Sequence, residues 1–229
     1  MDKIATTYLD IKKINEEFFA TKNQELEEKL SLYNTVREKA VAAALFLTTN
    51  FPKLPYFWGG GHLENYEEIL GINKKLGSIQ TIIAGNDPYY IKDKKFIYGY
   101  DCSGFVSWCL INSGYKKINK CLIVKEMLSL GDLINITDKN VLKKAKLGDL
   151  AWQEGHIGII VDINKEKNEI SVAHSADSYG GMTITTQSVT TGLITKEDFG
   201  SEVDINRNNQ KISSKISDKY FTKIILMEY

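Results

Sequence analysis

The sequence predicts an α+β domain with an antiparallel sheet, and three observations carry that prediction. Apolar residues recur at three- and four-residue steps early in the chain, as on one face of a helix. Short β-branched or alternating runs dominate after Leu147. The order, helices first and strands later, is that of an α+β domain rather than of alternating βα units.

Taken in order, Leu26, Leu30, Tyr33, Val36, Ala40, Ala43, Ala44 and Leu47 predict one amphipathic helix from Glu25 to Leu47. Thr48-Thr49-Asn50-Phe51-Pro52 closes it, since Pro52 biases the residue before it to extended geometry. Residues 1 to about 24 are charged and weakly periodic, and read as a partly helical extension or a solvated arm. Pro55 to His62 holds an aromatic cluster and then Gly59-Gly60-Gly61, where the backbone must approach another group closely or take positive φ. Residues 63–98 are of mixed character, with a turn at Asn86-Asp87-Pro88. Asp101 suits an N-cap before the apolar run Phe105, Val106, Trp108, Cys109 and Leu110, and a second helical stretch covers Val124 to Leu130. Strands are expected at 148–152, 157–163, 169–173, 182–186 and 221–227, with a polar excursion from Lys196 to Asp218 before the last.

Composition excludes several functions. The chain has 229 residues, 43% of them hydrophobic, enough for a full core, and its formal net charge is zero. Neutrality removes the electrostatic case for nucleic acid or an anionic membrane surface. Arg37 and Arg207 are the two arginines, which also argues against bidentate phosphate reading. The longest apolar run, Ala40 to Leu47, is far short of the roughly 20 residues of a membrane helix, and the first ten residues contain no apolar export segment. Neither a G-x-x-x-x-G-K, an H-E-x-x-H, a G-x-S-x-G nor a C-x-x-C occurs. Cys109 and Cys121 read as small buried hydrophobes, and no metal or organic cofactor is expected.

Cys102 differs from them in position. In the first turn of a helix it meets unpaired N–H groups and the positive end of the macrodipole, which favour a thiolate, although Asp101 opposes this by repulsion. The expectation is a thiol pKa well below the ordinary value of about 8.5. The competing reading is a core cysteine opening a helix. A nucleophilic thiol also needs a base and a group to orient it. His156 begins one predicted strand and His174 ends the next, with the polar turn 164–168 between them. A three-residue loop places the two directly opposite and a five-residue loop places them diagonally, within about 5 to 8 Å on one face. A four-residue loop puts them on opposite faces. His62 reads as incidental, or as a substrate contact.

In order, Tyr56-Phe57-Trp58-Gly59-Gly60, Asp101-Cys102-Ser103-Gly104-Phe105-Val106, Gly148-Asp149-Leu150, His156-Ile157-Gly158-Ile159 and Val172-Ala173-His174 resemble the NlpC/P60 cysteine peptidases over roughly residues 35–229. The resemblance implies a papain-like fold whose cysteine helix packs on the antiparallel sheet that carries the histidines. It divides the chain into an N-terminal extension or tether, 1–34, and a catalytic domain, 35–229, with an insertion at about 63–98. The 40 residues between Gly60 and Asp101 exceed those of compact members and suggest an extra wall or lid. The implied activity is cleavage of peptidoglycan stem peptides, commonly between D-γ-glutamate and a diamino acid. Cys102 matches the nucleophile, His156 the general base and His174 the orienting residue. Tyr56, Asp101 and Ser103 match substrate-binding positions, although a cap role explains Asp101 equally well. The family implies an extracellular or cell-envelope setting, and with no export signal in view the chain reads as an ectodomain of a longer protein. The rival readings are an amidase or acyltransferase on the same Cys–His chemistry, and a non-catalytic wall-binding domain.

Overall fold

The structure is a computed structural model, and it describes residues 16–49, 56, 79–81, 95–97, 99–179, 181–198 and 220–229. The glycine-rich stretch with His62, Pro52 and most of 63–98 and 199–219 lie outside the described residues.

Where the spacing predicts one helix there are two, α1 (Glu16–Ser31) and α2 (Val36–Thr49). The break comes from a capping box. Thr35 Oγ1 accepts from Glu38 N at 3.2 Å, while Glu38 Oε2 accepts from Thr35 N at 3.0 Å. These bonds satisfy orphan donors that a continuous helix would not have, so the chain restarts there at modest cost. The apolar periodicity survives because both helices bury the same stripe. Leu26 and Leu30 of α1, in the segment assigned to the extension, join the core beside Ala40, Ala43, Ala44 and Leu47 of α2.

β1 (Ile79–Thr81) and β2 (Lys95–Ile97) pair antiparallel within the stretch read as an insertion. α3 (Cys102–Ser113) follows, capped by Asp101, whose carboxylate accepts from Gly104 N at 2.7 Å. Gly114 ends it in the left-handed region at φ 87°, where a side chain would be strained. The second helical stretch is a short 3-10 turn, Glu126–Leu130, leading into an unanticipated strand, β3 (Gly131–Asn135), and one turn of helix, α4 (Val141–Lys144).

The remaining strands are β4 (Leu150–Gln153), β5 (His156–Asn164), β6 (Glu169–Ala176), β7 (Gly181–Ser188), β8 (Ile194–Asp198) and β9 (Lys223–Met227). With β3 they form one antiparallel sheet in the order β3-β9-β4-β5-β6-β7-β8. The strands absent from the sequence prediction, β3 and β8, are its two edges. An edge strand needs no continuous apolar face, so β8 could run on into the polar stretch that starts at Lys196.

Apolar residues fill both faces of the sheet. Ile157, Ile159, Ala173 and Ile225 pack with α2 and α3, whereas Ile160, Val172, Phe221 and Ile224 form a second cluster on the other side. A partly buried ion pair ties α2 to the sheet. Arg37 of α2 donates to Asp149 Oδ1 at 2.7 Å and to the carbonyls of Leu147 and Met227. Asp149 also accepts from the backbone N–H groups of Lys146 and Met227. The aspartate of Gly148-Asp149-Leu150 is therefore a structural clamp, both oxygens of which accept hydrogen bonds.

Candidate active site

The site is assembled at one end of the sheet, where the tip of α3 meets the turn between β4 and β5. The Glu154-Gly155 turn is tight, since Gln153 pairs with His156 and Gly155 supplies a φ of 78°. Cys102 Sγ donates to Gly155 O at 3.8 Å, and the backbone N–H of Ile157 is directed at the same sulfur. The thiol is thus bracketed by the residues on either side of His156.

His174 reaches His156 through an irregularity of the β5–β6 hairpin. Asn164 pairs with Glu169, so the loop, 165–168, is of the four-residue kind that separates the histidines. Asn168 closes it at φ 55°, and Asn164 Oδ1 accepts from Lys167 N at 3.0 Å. The register then shifts between Ile160 and Asp162, leaving Val161 as the extra residue of a β-bulge, and Ile160 pairs with Val172. That single residue restores the parity. His156 and His174 become diagonal neighbours on the face of Ile160 and Val172, with His156 Nε2 and His174 Nδ1 at 3.0 Å.

Gly158 makes the approach possible. A Cβ there would lie 2.5 Å from Val172 Cγ1, 2.7 Å from Ala173 O and 3.0 Å from His174 Cβ. The second of these is backbone, which does not yield cheaply.

Aromatic rings enclose the pair. Phe221 stacks on His156 at 5.6 Å between centroids, and Tyr220 lies 5.1 Å from each imidazole. Tyr179 meets His174 edge-on at 5.8 Å. Gln187, fully buried on β7, pins Phe221 by donating to its carbonyl and accepting from its N–H. Desolvation in this cage pushes the His156 pKa down to about 4, opposed by the attraction of Asp101.

Cys102 departs from its expected acidity. Burial, then the Asp101 carboxylate, push its pKa up to about 12, against the lowering effect of the Ile157, Ser103 and Cys102 backbone N–H groups. The helix-tip effect anticipated from sequence is present but smaller than the cost of taking charge out of water. At rest, then, the thiol and the imidazole of His156 are both neutral.

A cleft of about 690 Å³ opens beside Cys102. Tyr56, Asp101 and Ser103 line it, as do Ile123, Val124, Leu128 and Trp152, which make a largely apolar wall, with Lys125 and Glu154 also on its lining. Tyr56 forms a parallel bridge to Tyr100, and burial raises its pKa. Asp101 and Ser103 are bonded to each other, Ser103 Oγ donating to the carboxylate at 2.9 Å. The cap role of Asp101 is on display, and the residue also lines the cleft.

All three cysteines are free and buried. Among the described residues no three or more His, Cys, Asp or Glu side chains cluster to hold a metal ion, and no helix is long and apolar enough to cross a membrane.

Sequence reasoning found Cys102, His156, His174, Tyr56, Asp101 and Ser103, and the structure gathers these about one end of the sheet. It missed Thr185 of β7, whose Oγ1 lies 3.1 Å from His174 Nε2, and the enclosing Tyr220 and Phe221. A signal for Thr185 existed: Thr183, Thr185 and Gln187 alternate along one strand as buried polar residues, which demand partners. No family model, curated protein or solved structure matches this chain.

Proposed function

We propose that this chain is a cysteine peptidase of the NlpC/P60 type, papain-like in fold, that hydrolyses peptide bonds in peptidoglycan stem peptides outside the cytoplasm. The observation that carries the reading is the run of contacts from Cys102 through the turn preceding His156 to His174, with the two imidazoles bonded at 3.0 Å. A buried thiol at a helix tip, bonded to the turn that leads into an imidazole held by a second histidine, supports acyl transfer by a thiol and its base.

In the proposed cycle Cys102 Sγ attacks the scissile carbonyl carbon while its proton passes to His156, since neither group is charged at rest. The C–N bond then breaks and His156 returns the proton to the leaving amine. Water hydrolyses the thioester, releasing the acid and restoring the thiol. The backbone N–H of Cys102 is suited to the oxyanion, and one such donor is worth about 3 to 4 kcal/mol of barrier. Asp101 and Ser103 hold the amino end of the stem peptide and Tyr56 positions it. None of these steps uses a metal or organic cofactor.

The apolar wall of Ile123, Val124, Leu128 and Trp152 favours a second reading, an amidase or acyltransferase whose acyl group is aliphatic. One experiment separates the two: incubation with purified muropeptides differing in the third residue, and in parallel with aliphatic acyl amides, followed by mass spectrometry. Cleavage between D-glutamate and the diamino acid, lost in Cys102→Ala, supports the peptidase. Turnover of the acyl amides alone would replace it with the second reading, and full muropeptide cleavage by Cys102→Ala would sink both.

A further inference from the structure

We propose that Thr185 is a positioning residue that sets which nitrogen carries the proton on both histidines, by accepting a hydrogen bond from His174 Nε2–H. This rests on the reading of Cys102 and His156 as nucleophile and base. The three groups form one buried line: Thr185 Oγ1 is 3.1 Å from His174 Nε2, and His174 Nδ1 is 3.0 Å from His156 Nε2. His174 and Thr185 are essentially inaccessible to water, so protein atoms supply what each imidazole N–H or lone pair needs.

An imidazole that donates through one nitrogen accepts through the other, and so the protons along the line are correlated. If His174 donates from Nε2 to Thr185, its Nδ1 is a lone pair, His156 donates from Nε2, and His156 Nδ1 is left as a lone pair able to take a proton. If Thr185 donates instead, every bond reverses and His156 carries its proton on Nδ1, where it cannot act as a base.

A threonine hydroxyl permits both orders in the resting state. The reactive state permits one. Once His156 has taken the Cys102 proton, both of its nitrogens are donors, so His174 Nδ1 must accept and its proton must sit on Nε2, facing Thr185. The Thr185 oxygen is therefore called on most strongly when His156 is charged, which is where an interaction accelerates reaction rather than merely binding. The placement follows from the sheet. Val172 pairs with Thr185 and His174 with Thr183, so Thr185 is a diagonal neighbour of His174 across β6 and β7, as His156 is across β5 and β6.

The test needs no substrate. The chain has three histidines, so long-range nitrogen–proton correlation spectra of the nitrogen-15-labelled full chain assign each tautomer. Wild type and Thr185→Ser are expected to show His174 and His156 protonated on Nε2. Thr185→Val, which removes the acceptor but keeps the shape, is expected to move the His174 proton to Nδ1 and to slow iodoacetamide alkylation of Cys102 about tenfold or more. Thr185→Ser should restore the rate. A wild-type His174 protonated on Nδ1, or a Thr185→Val chain with unchanged tautomers and alkylation, overturns the proposal; if the valine chain does not fold, the wild-type spectrum decides. Muropeptide cleavage by a chain with the wrong tautomer would reject Thr185 alone, and the expected spectra in a chain that cleaves no muropeptide would reject only the substrate.

Discussion

Ser175 donates a 2.7 Å hydrogen bond to the carbonyl of Tyr100, joining the residue after His174 to the residue two before Cys102. Cys102 and His174 come from elements far apart in sequence, and this bond ties the side chain next to His174 to the backbone shortly before Cys102. Both partners are buried, so water cannot replace it. Ser175→Ala is expected to cost about 1 to 3 kcal/mol. On the proposed peptidase reading it should also lower the turnover number more than it raises KM, because it loosens Cys102 and not the cleft wall. Urea unfolding and steady-state kinetics on a cleaved stem peptide check the two halves of this expectation.

Stability should fall on the acid side of neutrality because His156 is buried uncharged. The unfolded chain takes up a proton near pH 6.5, whereas the native imidazole resists until about 4. Between those values the unfolded state binds more protons, so stability is full above about 6.5 and is lost as pH falls toward 4, by up to about 3 kcal/mol. Cys102 gives the opposite slope at high pH. Its thiol keeps the proton to about 12 in the native state against 9 unfolded, so stability falls as pH rises through that window. Urea midpoints across the range test both slopes, and His156→Leu should flatten the acid one.

Alkylation of Cys102 should follow the raised pKa. Its rate with iodoacetamide is expected to climb steadily above about pH 9, with no plateau of thiolate reactivity near neutrality. Cys109, fully buried among apolar groups and with its own pKa raised by that burial, should react more slowly still. Peptide mapping of the alkylated chain distinguishes them. A neutral-pH plateau for Cys102 would show that a resting thiolate–imidazolium pair forms after all.

The Arg37–Asp149 pair should matter to folding and little to chemistry. Asp149 is buried, and removing the guanidinium leaves a carboxylate with backbone N–H groups alone to offset its charge. Arg37→Met is expected to destabilise the chain by about 3 kcal/mol or more, while Arg37→Met with Asp149→Leu recovers part of that loss. Chemical denaturation of the two variants gives the comparison, and any activity that survives should show an unchanged KM.

Much of this architecture was legible in the residues. The Asp101 cap, the core face of α2 and the inner strands each announce themselves through a local pattern that tertiary packing reinforces. The break between α1 and α2 was written as well, in Thr35-Val36-Arg37-Glu38, but a continuous apolar stripe concealed it. The edges β3 and β8 were illegible for a different reason: each lies beside a single neighbouring strand, so selection for an apolar face is weak there. Within the site Cys102 and both histidines stood out by residue type. Their protonation did not, because helix-tip stabilisation of Cys102 is local whereas its burial depends on chain segments far away in sequence.

The bulge at Val161 makes the distance between the two histidines along the chain an odd-or-even matter. Removing one residue from β5 at that point should send His156 and His174 to opposite sides of the sheet, because a one-residue slip flips every side chain of the segment beyond it. Removing or adding one residue in the 165–168 loop should do the same. Combining the two changes should bring the imidazoles back together, so length variants of this hairpin are expected to be active in compensating pairs and silent singly.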